Sequence, residues 1–194
     1  MKEPVATPRQ AILFAGHLVD APGREPPRFP ESAVDEARRR IDAVLETLTA
    51  DASDLAYTQG SCGGDVLFTE ACQARGVPVQ WLQPFDEPEF VARSVAIRGD
   101  AWLARYAAAR ARLDRPIRVL PSHVLVGGDP FERCNHWLLE SAMAHGAERL
   151  RLVVLWSGEA PDGPGGTEHL AGLAQGLDGP TYWIDPREWI KSPT

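Results

Sequence analysis

Two stretches of this chain are nearly bare of side chains just where a helix is about to begin. Residues 58–71 read TQGSCGGDVLFTEA, with Gly60, Ser61, Cys62, Gly63 and Gly64 in succession, and residues 163–168 read GPGGTE. So open a backbone lets a ligand approach the amide N–H groups, and the amide end of a helix with its dipole favours a phosphate or carboxylate. Two such bends on one edge of a molecule would hold a phosphate and a second polar part of one ligand. The competing reading of each glycine is plain turn formation. Asp65 adjoins the first bend and is placed in the site with it; Gly165, Gly166 and Thr167 form the second.

The first bend also matches G-x-C-x-G, a strand-to-helix elbow that would hold Cys62 up as a nucleophile with its pKa lowered by the helix terminus. A cysteine hydrolase would then need a histidine base, and His169 beside Glu168 is the candidate, although neighbours on a helix point in different directions. A small, partly buried structural cysteine is the competing role. AGHLVD adds Gly16, His17 and Asp20, the last two able to order a ribose or base by hydrogen bonds or merely to steady their loop. Glu132 and Arg133 open a later helix, where the arginine reaches a phosphate or stays a solvated surface residue.

These residues need elements to position them. AILFAG (11–16) reads as a buried first strand, and the Pro- and Gly-rich PGREPPRFPES as a loop. Ser32 stands where it can cap a helix carrying Val34, Ala37, Ile41, Val44, Leu45 and Leu48 at helical spacing. DLAYT, VPVQWL, IRVL, LRLVVLW and TYWI read as further strands. DVLFTEACQARG, closed by Gly76, reads as a helix, as do PEFVARSVA behind an Asp86/Glu89 capping box, a stripe of Trp102, Tyr106, Ala109 and Leu113, FERCNHWLLESAMAHG, and TEHLAGLAQG. Such alternation predicts an α/β, three-layer Rossmann-like sandwich with a mostly parallel central sheet. In that fold ligands sit beyond the carboxyl ends of the strands. All three glycine-bearing loops then fall on one edge.

The 194 residues, 44% hydrophobic and 24% charged, suit one domain spanning 1–194 with loose ends at 1–8 and 191–194. A formal charge of −7 argues against a nucleic-acid polymer held by a broad basic surface, so any phosphate site must be local. No apolar run reaches the roughly 20 residues of a membrane span, and MKEPVATPRQ lacks the core of a signal peptide, which predicts a cytoplasmic protein. Three cysteines without a CxxC pair and five scattered histidines predict neither disulfide nor metal. No cofactor is expected.

Taken in order, AGHLVD with RFP, GSCGGDVLFTEA, QPF, FERCNHWLL and GPGGT resemble the SLOG superfamily of Rossmann-like nucleotide-binding domains. These include the DprA proteins and the LOG, or lysine-decarboxylase-like, phosphoribohydrolases. The resemblance covers most of the chain and implies a nucleotide or nucleotide-derived ligand, a sensor or signalling role, and possible homo-oligomers. For the LOG enzymes the pattern is PGGxGTxxE with an ERK arginine on a helix. Gly165, Gly166 and Thr167 keep the phosphate part, and Glu132 with Arg133 resembles the ER pair. Cys134 stands in place of the lysine, and Glu168 follows the threonine directly, a shift of two residues that turns a side chain through roughly 200° on a helix. Sensing by binding is therefore the leading expectation, with N-glycosidic cleavage through Glu168 and Arg133 as the alternative and a Cys62 hydrolase behind it.

Overall fold

A computed structural model of the chain describes residues 7–121, 128–159, 165–174 and 179–190. Gly163 and the ends expected to be loose, apart from residues 7 and 8, lie outside these. Among these residues, six strands form one all-parallel sheet: β1 (Ala11–Gly16), β2 (Leu55–Thr58), β3 (Val79–Gln83), β4 (Arg118–Val119), β5 (Leu150–Leu155) and β6 (Thr181–Ile184). Their spatial order is β4-β3-β2-β1-β5-β6.

The central strands are apolar on both faces because both faces are covered, as parallel sheets require. Along β1, Ile12 and Phe14 enter one core with the helices α1 (Val34–Thr47), α2 (Gly64–Ala74), α3 (Glu87–Ser94) and α4 (Asp100–Ala111), while Ala11 and Leu13 enter the other. That second core is closed by α5 (Pro130–Met143) and α6 (Thr167–Leu173). Alternation along one strand thus splits the interior into the two halves of a three-layer sandwich. Asp86 accepts from the Glu89 amide at 3.2 Å and caps α3 as its spacing predicts. Ser32 does not cap α1: a 3-10 turn over Glu31–Ala33 precedes the helix and no side chain caps either one.

From β1 the chain winds outward through β2 and β3 to β4, then returns by α5 to place β5 on the other side of β1, in register Ala11 with Leu150 through Gly16 with Leu155. The connections leaving β1 and β5 diverge there, which opens a crevice at their carboxyl ends. The margins differ: β4 contributes two exposed residues, and β6 carries a half-exposed Trp183.

Candidate functional site

A cavity of about 360 Å³ lies at this parting of β1 and β5. One wall is the exit of β1, with Gly16, His17 and Leu18; next to it stand Gln59, Ser61 and Asp65 beyond β2. The helix α5 supplies Phe131, Asn135 and Leu138, three positions at i, i+4 and i+7 on one helical face. Gly165, Gly166, Thr167 and Glu168 close the far side with Trp156, and Arg28 and Arg93 also line the space. The three loops expected to share one edge do meet around it.

The first glycine bend meets the cavity differently from expectation. Gly63, at φ +106°, pairs with Leu18 in an antiparallel bridge, and the Gly64 amide donates to the His17 carbonyl at 3.0 Å. A Cβ at Gly63 would sit 2.6 Å from that carbonyl oxygen, one at Gly64 2.9 Å from the Gly16 Cα, and one at Gly60 2.7 Å from the Trp81 ring. The glycines let the start of α2 press directly on β1, and none of Gly60, Cys62, Gly63 and Gly64 lines the cavity. The Gly64 amide expected to meet a phosphate is already engaged, so this bend is a packing device.

Cys62 is fully buried among core side chains, and burial pushes its thiol up to about 12. That corrects the elbow reading: the neutral thiol is neither exposed nor activated. What the bend does present is Ser61 and Asp65. The Ser61 hydroxyl donates to Asp65 Oδ2 at 2.7 Å and its amide at 3.1 Å, yet burial still lifts the carboxyl to about 6 against these bonds. A carboxylate that titrates near neutrality at the edge of a cavity can accept hydrogen bonds from a ligand or hold a proton for it.

His17 is buried at the crevice, where its Nε2 accepts from the Ser157 amide at 3.0 Å, so the neutral ring carries its proton on Nδ1. Asp20 turns away. Its Oδ2 accepts from the amides of Arg28 and Phe29 at 2.7 and 2.8 Å, and it faces Arg24 at 3.6 Å, outside the cavity lining. It is the loop-steadying member of the pair.

The second bend does face the cavity. Gly165 adopts φ +74° against the backbone of Phe131 and Glu132, and Asn135 Nδ2 donates to its carbonyl at 2.7 Å. Asn135 Oδ1 in turn accepts from Gln59 Nε2 at 3.0 Å, so one buried amide joins the loop after β2 to the entry of α6. Glu168 lines the cavity as an exposed side chain. Arg133 is not brought there: two residues from Phe131 and from Asn135, it points about 200° around the helix from both, and it is absent from the lining. The two residues assigned to catalysis therefore do not share the cavity.

Sequence reasoning missed Asn135, Phe131, Trp156, Arg28 and Arg93. The repeat Phe131, Asn135, Leu138 was available as a polar residue on an otherwise apolar face. Nothing local marked Arg28 or Arg93.

No family model and no curated protein matches the chain. Among solved structures, the X-ray structure of TM1055, a structural genomics target, is similar at 17% identity over 74% of this chain, with a TM-score of 0.40. The match spans 60% of that protein's length.

Proposed function

We propose that this chain binds a nucleotide or nucleotide-derived small molecule at the parting of β1 and β5, as a SLOG-type sensor or signalling module. The supporting observation is the cavity's position and make-up. It sits where parallel α/β folds take ligands, its volume falls within the roughly 300–1,000 Å³ of small-molecule sites, and its lining mixes polar and charged side chains with apolar ones. The phosphate lies against Gly165, Gly166 and Thr167, with Arg93 in the same lining as counter-charge, and Asp65 with Ser61 takes a sugar hydroxyl or an amino group. The ordered resemblance to SLOG domains points the same way. Binding is preferred to glycosidic cleavage because Arg133 stands outside the lining and Glu168 remains solvated.

Gly166→Asp tests the reading. Gly166 has φ −67°, which any residue adopts, so aspartate fits the backbone while placing a negative charge at the phosphate position. At a ligand concentration of 100 Kd, binding adds about 2.7 kcal/mol, or about 5–11 °C in Tm for a chain of this size. AMP, cyclic nucleotides and ADP-ribose are screened by thermal shift. A rise of that order in the wild type, lost in a Gly166→Asp protein of unchanged ligand-free Tm, is expected. Wild type indifferent to every nucleotide overturns the proposal.

A further inference from the structure

Just past β5 the cavity wall is an indole. Trp156 stacks on Trp183 of β6 with ring centroids 5.0 Å apart and planes inclined by 27°. Both rings are held by their N–H groups: Trp156 Nε1 donates to the Glu159 carbonyl at 2.8 Å, and Trp183 Nε1 to the Trp156 carbonyl at 2.9 Å. The pairing follows from the sheet, since Val154 lies opposite Trp183 and the Trp156 amide donates to the Ile184 carbonyl at 3.1 Å. Trp183 remains 51% exposed. One face of Trp156 is covered by Trp183 and the residue packs partly against the second core, yet it still contributes to the cavity lining.

We infer that Trp156, braced from behind by Trp183, is the shelf on which a flat heteroaromatic ring of the ligand stacks. This rests on the nucleotide reading and deepens it by fixing the base end of the ligand beside β5 and β6. An aromatic face held rigid before the ligand arrives loses no rotamer freedom on binding, which is what makes it an effective platform. Stacking of this kind tolerates any base, because each presents a π face, so the shelf selects for planarity.

Three probes separate the shelf from the rest of the site: AMP, ribose 5-phosphate, which lacks the ring, and adenosine, which lacks the phosphate. Affinity is measured by calorimetry and tryptophan emission is followed in parallel. Trp156→Ala is expected to weaken AMP and adenosine about tenfold or more and to leave ribose 5-phosphate unchanged. Trp156→Phe is expected to keep AMP affinity within about threefold while abolishing the ligand-induced quenching, and it carries the test should the alanine protein fail to fold. AMP bound equally by wild type and Trp156→Ala, with quenching intact in Trp156→Phe, overturns the shelf and leaves the nucleotide reading standing. Ribose 5-phosphate bound as tightly as AMP overturns it too. Adenosine bound as tightly as AMP through Trp156 upholds the shelf and removes the phosphate from the reading. No binding of any probe, with cyclic nucleotides and ADP-ribose silent as well, overturns both.

Discussion

Gly63→Ala separates a packing glycine from a ligand-binding one. At φ +106° an L side chain is strained by about 1–3 kcal/mol, and the added methyl would lie 2.6 Å from the His17 carbonyl oxygen and 2.7 Å from the Val19 nitrogen. Both obstacles are backbone, so no side chain can swing aside. Forcing a methyl into such a contact costs about 1–3 kcal/mol more. The sum, about 4 kcal/mol at its centre, corresponds to a fall of roughly 8–16 °C in Tm for a chain of this length. Gly76→Ala is the matched control. It has φ +71° with nothing within 4 Å of the new Cβ, leaving strain of about 1–2 kcal/mol partly offset by a stiffer unfolded chain. Urea denaturation of the two variants, analysed with a shared m value, gives the comparison. A Gly63→Ala protein no less stable than Gly76→Ala would refute the account of the bend as a clamp on β1.

Two other outcomes follow from buried groups. The Asp65 carboxyl is raised from 3.8 to about 6 in the folded protein, so the native state binds this proton more tightly than the unfolded chain does. The contribution to stability is complete below pH about 4 and is lost as pH rises through about 6, amounting to about 3 kcal/mol by pH 7. Asp65→Asn should therefore gain on the wild type in urea midpoint between pH 4.5 and 7.5, and a difference that stays flat over that range rules the assignment out. All three thiols are buried, with burial raising each, so native protein should resist a thiol reagent at pH 7.5 until urea is added. A fast-reacting thiol located at Cys62 by peptide mapping would restore its nucleophile reading.

The architecture was legible because its signals are local. AILFAG and TYWI are the strands β1 and β6 as read, since an apolar run bounded by loops has few other fates here. The boundaries of α2 and β3 shifted by a residue or two, within the fraying expected of element ends. The site was half legible. Glycine runs announce that something comes close, but only the tertiary contact tells whether it is a ligand or, as at Gly63 and Gly64, the chain's own first strand. Cys62 was ambiguous for the same reason, as its exposure depends on α3 and the Ser94 carbonyl, which accepts its amide at 2.9 Å. Asn135 links residues 76 and 30 positions away, a range at which no periodicity reports.

The sheet's unequal margins have a consequence for self-association. At the β4 side the strand is two residues long among the described residues, so an incoming strand from another molecule would gain a bond or two at best and lose more in ordering. The β6 strand is four residues long, and because the Pro180 and Ile184 carbonyls accept from β5, alternation turns the peptide groups of Thr181 and Trp183 outward. Among the described residues β6 is therefore the margin with more to offer an added strand, and through Trp183 it adjoins Trp156 of the cavity wall.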